Sequence, residues 1–273
     1  MKIAVLTDSS YKLESNISNV FIVPLSINIS AEKSIKDDKS LSDEEFLKII
    51  NKNIKTSQTA FGQLEETIEN ILKAYDQVII CGIAKVLSGQ YNSYLLMQRE
   101  EKFKNKIFVI DSDGVSIILE KQIKDIITLI DQGKTCLEIK KFIEEDKKNY
   151  ECFIIPKKWT TMVASGRISK FKGFIASTLK VAVVLKVADE KIVLDSKQRS
   201  FFIGIKYILT ELKSKVPNLK TIDVACGLFD QNTIDKVKSL ISESGLKINL
   251  WSNLTRTIMI NTGEETFAFC AWK

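Results

Sequence analysis

Three apolar runs in the first half of the chain each pass directly into a short polar loop and then into a segment with helical spacing. No other feature of the sequence limits the fold as much. Residues 2–6 lead into "TDSS", residues 77–83 into "AKVLSGQ", and residues 106–110 into "DSDGVS". Repeated strand–loop–helix units predict parallel strands joined by crossover helices that cover both faces of one sheet. The three loops then gather at the C-terminal edge of that sheet, where open α/β sheets bind their ligands. Their hydroxyls, together with backbone N–H groups at helix N-termini, suit an oxyanion.

Between the first two units, residues 20–29 read as a second strand. Ser42 with Glu45 forms a capping box that opens a helix to about residue 51. The stretch "IKTSQTAFGQ" follows, with Thr56, Ser57, Gln58 and Thr59 in succession. Capping the helix that begins near Ala60 requires one well-placed hydroxyl, so the tetrad exceeds that need. That helix carries Phe61, Leu64, Ile68, Ile71 and Leu72 on one stripe. Ser88 reads as the cap of a helix over 91–102, with Gly89 as a permissive neighbour, and each polar loop taken singly is explained by local turn chemistry.

After residue 147 the pattern changes. A strand, "ECFIIP", is followed by a stretch from 156 to 186 with seven basic residues and no acidic one. Two strands with a turn between them (179–187 and 191–195), a helix at 201–213, a strand at 221–225, a helix at 233–243 and closing strands complete the chain. The expected domains are 1–155 and 156–273, the first a Rossmann-like parallel-sheet domain and the second a smaller α/β (α+β) domain.

Composition removes several functions. The chain has no histidine, which excludes Ser-His-Asp and Cys-His hydrolases and histidine-based zinc sites. The net charge of +6 is spread over many lysines without interleaved aromatics, which gives nucleic-acid binding no support. Five widely spaced cysteines, Cys81, Cys136, Cys152, Cys226 and Cys270, read as reduced core thiols of a cytoplasmic protein. No leader peptide precedes the first strand, and the apolar runs are too short to span a bilayer. Arginine is scarce (Arg99, Arg167, Arg199 and Arg256), and a guanidinium offers planar, bidentate contacts that lysine does not.

Taken in order, "KIAVLTDSS", "KTSQTAFGQ", "LSGQYNS", "FVIDSDGVS", "SGRISKF" and "KQRSFFIGIKYI" resemble the DegV family along the whole chain. These are bacterial fatty-acid-binding proteins that include the lipid-carrying subunits of fatty-acid kinase. The combination of "TSQ", then "LSG" about thirty residues later, then "GRIS" carries the resemblance. It implies two α/β domains holding a long-chain fatty acid such as palmitate, with the second domain completing the lipid pocket. The family's carboxylate-binding hydroxyls fall on Thr56 and Ser88, with Ser57 and Gly89 as neighbouring donors. Arg199 matches an arginine that contacts the kinase in kinase-linked members, and Arg167 matches the "GRI" arginine. Two departures stand out. Asn261, in "INTGEE", occupies the place of a family histidine, with Glu264 in place of a proline, and Ala84-Lys85 replace a serine pair. The resemblance puts that histidine near the ligand head group, so Asn261 joins the implied carboxylate-binding residues; its amide can donate a hydrogen bond but cannot carry a proton.

The expected function is therefore non-enzymatic: a lipid-binding protein of fatty-acid metabolism with no cofactor or metal, whose ligand is a long-chain fatty acid, presented to a fatty-acid kinase partner. The competing expectation is an enzyme acting on a small phosphorylated or carboxylated substrate at the same sheet edge, with Asp8, Asp111 or Asp113 as acid or base. A third is an interaction module without lipid.

Overall fold

The computed structural model describes residues 1–11, 17–50, 54–166, 168, 181–188 and 191–273. The chain divides into two compact units, the first Met1–Lys148 with Thr255–Thr257, the second Asn149–Leu254 with Ile258–Lys273.

In the first unit, β1 (Ile3–Asp8) lies between β2 (Val20–Val23) and β6 (Gln77–Ile80), and β7 (Ile107–Val109) follows β6, all parallel. The alternation along β1 sorts the core. Ile3 and Val5 pack with Ile79 against Leu119, Ile123 and Ile126 of α4 (Ile117–Asp131) and Cys136, Ile139 and Ile143 of α5 (Cys136–Asp146). Ala4 and Leu6 face the other way, with Val78 and Ile80, onto Leu64, Ile68 and Ile71 of α2 (Phe61–Leu72) and Tyr94 and Met97 of α3 (Gln90–Arg99). Both faces are covered, as a parallel sheet with crossover helices requires.

The expected strand over 20–29 is two strands in two sheets. Pro24 lacks the N–H needed to continue the parallel ladder, so β2 ends at Val23. The chain then enters β3 (Ser26–Asn28), which pairs antiparallel with both β4 (Ser34–Lys36) and β5 (Lys55–Ser57) in a three-stranded sheet. The Ser42–Glu45 capping box is present and opens α1 (Asp43–Ile49). Phe61, expected on the apolar stripe of α2, is instead 42% exposed at the helix's first position. Thr257 is held in this unit by Asp37, whose Oδ2 accepts from its hydroxyl at 2.8 Å, and Arg256 reaches Asp43 at 2.8 Å.

The second unit is a six-stranded mixed sheet. Its strands are β8 (Tyr150–Pro156), β9 (Ala182–Ala188), β10 (Lys191–Gln198), β11 (Thr221–Cys226), β12 (Lys247–Asn253) and β13 (Thr266–Trp272). Only β11 and β12 pair in parallel; β9 and β10 form the expected antiparallel hairpin. On one face Phe153, Ile155, Phe267 and Phe269 pack against α7 (Phe201–Lys215) and α8 (Gln231–Glu243). The other face buries Ile154, Val183 and Leu185 with Trp159 and with Met162 of α6 (Thr160–Ala164). The closing helix is α9 (Arg256–Thr262). Among the described residues, no helix is long and apolar enough to cross a membrane.

The division of β1 between two apolar layers gives a stability expectation. Ile68→Ala, at a fully buried position on α2, should cost about 2–5 kcal/mol in denaturant unfolding of the protein. Leu47→Ala, at a half-exposed position on α1, should cost less than about 0.5 kcal/mol.

Candidate functional site

The C-terminal edge of the parallel sheet is organised by one buried carboxylate. Asp8, the last residue of β1, is fully buried. Its Oδ1 accepts the Ser10 N–H at 3.0 Å; its Oδ2 accepts the Ile83 N–H at 2.8 Å and the Tyr94 hydroxyl at 3.0 Å. Burial raises the Asp8 carboxyl above its ordinary range against the opposing pull of hydrogen bonds from Ser10, Ile83 and Tyr94. Burial, followed by the Asp8 charge, likewise pushes the Tyr94 phenol upward. A side chain at position 82 would collide with this arrangement, since a Cβ on Gly82 would overlap Asp8 Oδ2 and lie 2.7 Å from Tyr94 Cε2.

The third loop joins the same network. The Ser112 hydroxyl donates to the Gly82 carbonyl at 2.6 Å and accepts the Gly114 N–H at 3.0 Å. Ala84 N–H donates to the Gly114 carbonyl at 2.9 Å, and Ser116 N–H to the Ser10 carbonyl at 3.1 Å. Asp113 and Ser116 adopt positive φ of 47° and 53° in this loop, conformations that cost a non-glycine residue energy. The loops after β1, β6 and β7 are thus one hydrogen-bonded body.

The hydroxyl-rich tetrad is placed differently from its expected capping role. Residues 55–57 form β5, and the cap of α2 is Ala60, which makes no side-chain hydrogen bond to the helix. Thr56 is half-buried opposite Ile27, and the Ser57 hydroxyl, exposed, lies 3.4 Å from Asn28 Oδ1. Thr59 is buried; its hydroxyl donates to the Pro24 carbonyl at 2.8 Å and its N–H to Gln90 Oε1 at 2.8 Å. Ser88 is half-buried, and its Oγ accepts the Gln90 N–H at 3.2 Å, while the α3 cap position is Gly89 rather than Ser88. A Cβ on Gly89 would stand 2.8 Å from Gln58 Oε1, so the Gln58 amide lies against this glycine. The "TSQT" and "LSGQ" segments therefore meet through Gln58 with Gly89 and Thr59 with Gln90.

The three other residues that the resemblance assigns to the site or a partner lie in the second unit or outside the described residues. Asn261 is half-buried in α9, and Arg199 is exposed immediately before Ser200, the cap of α7. Arg167 lies outside the described residues. The carboxylates considered for acid–base work are committed to other partners. Asp8 is sealed by its donors, and Asp111 Oδ2 is shared at 2.8 Å by Lys85 and Lys147. Asp113 also pairs with Lys147 at 2.8 Å. Burial opposes ionisation of Asp111, but Lys147 and Lys85 outweigh it and hold the carboxyl below its usual range. Among the described residues, no group of three or more His, Cys, Asp or Glu side chains could hold a metal ion.

Sequence reasoning missed Gly82, Gln90, Tyr94 and Lys147. The i, i+4 spacing of Gln90 and Tyr94 was a usable signal, since it puts a polar and an aromatic side chain on one helical face. Lys147 gave none, because its partners lie more than thirty residues away. Because a Cβ at position 82 meets a carboxylate and a ring rather than open space, Gly82→Ala should destabilise the protein by about 1–3 kcal/mol in denaturant unfolding. Gly62→Ala, where nothing lies within 4 Å of the added carbon, should be neutral or stabilising in the same assay.

A family model described as an uncharacterised protein, DegV family, matches residues 2–273. A DegV domain-containing protein of Staphylococcus aureus is 27% identical over 277 residues, covering 98% of each chain. Among solved structures, a fatty-acid-binding DegV family protein from Streptococcus agalactiae superposes with a TM-score of 0.87 at 21% identity, covering 99% of this chain and 98% of that one. The Streptococcus pneumoniae fatty acid kinase B3 protein, loaded with linoleic acid, superposes with a TM-score of 0.82 at 20% identity, covering 100% of this chain and 99% of that one.

Proposed function

We propose, from the premise that this chain belongs to the DegV family, that it binds a long-chain fatty acid, with the carboxylate held at the sheet edge and the acyl chain buried. The observation that carries the reading is the junction of the "TSQT" and "LSGQ" segments, where Thr59 N–H meets Gln90 Oε1 at 2.8 Å and Gln58 lies against Gly89. Thr56 and Ser88, half-buried on these two segments, are the carboxylate-binding hydroxyls, with Ser57 and the Gly89 N–H as neighbouring donors. The tail supplies most of the affinity: each buried CH₂ contributes roughly 0.8 kcal/mol, so about fifteen methylenes give on the order of 12 kcal/mol before the costs of binding. The hydroxyls orient the head group.

In this reading the protein is not itself an enzyme and uses no cofactor. Support comes from the Asp8, Asp111 and Asp113 carboxylates, which are occupied by structural hydrogen bonds and ion pairs rather than open to a substrate. The protein carries the acyl chain to a fatty-acid kinase partner, with exposed Arg199 as a docking residue and Arg167 assigned the same role from the sequence. Asn261 is assigned to the head group from the sequence alone; its amide can donate a hydrogen bond but takes no proton in any transfer. A cytoplasmic location accords with five buried cysteine thiols.

Native mass spectrometry of protein purified from cells tests the reading. The expected result is one co-purifying acyl mass per chain, or stoichiometric uptake of added palmitate or oleate. Thr56→Ala and Ser88→Ala should each lower affinity by about 1.5–3 kcal/mol, the worth of a hydrogen bond to a charged group, which is roughly ten- to hundred-fold in Kd. Arg199→Ala should leave loading unchanged. Absence of acyl mass and of uptake contradicts the proposal, and unchanged loading in both alanine variants removes these hydroxyls from it.

A further inference from the structure

Gln90 is fully buried, yet it is the second residue after Ser88 and stands at the first position of α3. Its side-chain oxygen is fixed by the Thr59 N–H at 2.8 Å, and its own N–H is fixed by Ser88 Oγ at 3.2 Å. One residue therefore holds both hydroxyl-bearing segments, through its backbone on one side and its carboxamide on the other. Thr59 is in turn anchored through its hydroxyl to the Pro24 carbonyl, at the point where the chain leaves the parallel sheet for β3. Four residues along α3, Tyr94 donates to Asp8, so Gln90 links the Asp8-centred body to the β5–α2 segment.

We propose that Gln90 is a positioning residue for the head-group site: it touches no ligand and sets the spacing between the Thr56 segment and the Ser88 turn. This rests on the fatty-acid reading above. A shell that fixes donors to within a fraction of an ångström is what makes two weak donors act on one carboxylate. Neither a backbone N–H left without its acceptor nor a loop released from it would abolish the apolar part of binding. Loss of Gln90 should therefore weaken recognition of the carboxylate and leave burial of the chain intact. A leucine or methionine at position 90 fills similar volume without offering an acceptor.

The test compares oleic acid with oleyl alcohol, each displacing cis-parinaric acid from wild-type protein, Gln90→Leu and Gln90→Met. Wild type is expected to favour the acid. The variants should lose about ten-fold of that preference, the equivalent of one hydrogen bond, while alcohol affinity stays within about two-fold. Hydrogen exchange should show the Thr59 amide protected in wild type and released in the variants, with α2 core amides such as Ile68 unchanged. An unchanged acid preference, or equal losses for acid and alcohol, overturns the inference. If neither variant folds, the wild-type exchange decides: a Thr59 amide exchanging as fast as an open loop overturns it. Failure of wild type to bind either compound defeats the fatty-acid reading itself, whereas normal wild-type binding with unaffected variants defeats only the role of Gln90.

Discussion

The sheet edge depends on the burial of Asp8. A carboxylate without access to water is costly unless donors replace the solvent, and here two backbone N–H groups and a phenol do so. Each donor comes from a different place: Ser10 from the turn that follows β1, Ile83 from the loop after β6, and Tyr94 from α3. Satisfying one carboxylate therefore fixes the relative positions of three pieces of chain. The cost is a glycine at position 82, because no side chain fits between Asp8 and Tyr94. Removing any one of these donors would leave the buried carboxylate less fully satisfied, at a cost in stability.

This frame gives the hydroxyl loops their geometry. Asp8 looks like a catalytic base when only its loop, "TDSS", is considered. In the fold it is completely buried and organises the sheet edge through its three donors. Asp111 and Asp113 follow the same logic closer to the surface, where Lys147 bridges them and Lys85 adds a second ammonium to Asp111. The entry to the "LSG" turn is thus secured by the charge of Lys85 as well as by the backbone hydrogen bonds of Ala84 and Ser88.

Much of the frame was legible because it is written in periodicity. The apolar runs at 2–6, 77–83 and 106–110, each followed by a polar loop and a helical segment, marked three strands of the parallel sheet, and the Ser42–Glu45 box marked a real helix start. What was not legible turned on contacts distant in sequence. Pro24 marks a break in "NVFIVPLSIN", but nothing local tells that the chain then joins a second sheet. The tetrad reads as a cap because hydroxyls before an apolar helix usually are one, yet β3, paired in register with residues 55–57, draws Thr56 into a strand. Where the polar stretch lies is not local information either: residues 55–57 form a strand, and Gln58 lies against Gly89 of the "LSGQ" turn.

The most direct test of the account is a crystal structure of the protein after incubation with oleate. The account predicts an acyl chain buried in protein with its carboxylate within hydrogen-bond distance, about 2.6–3.2 Å, of Thr56 Oγ1 and Ser88 Oγ, and with Asp8 still sealed by Ser10, Ile83 and Tyr94. A carboxylate bound elsewhere, or a site at saturating oleate that holds no acyl chain, would contradict it.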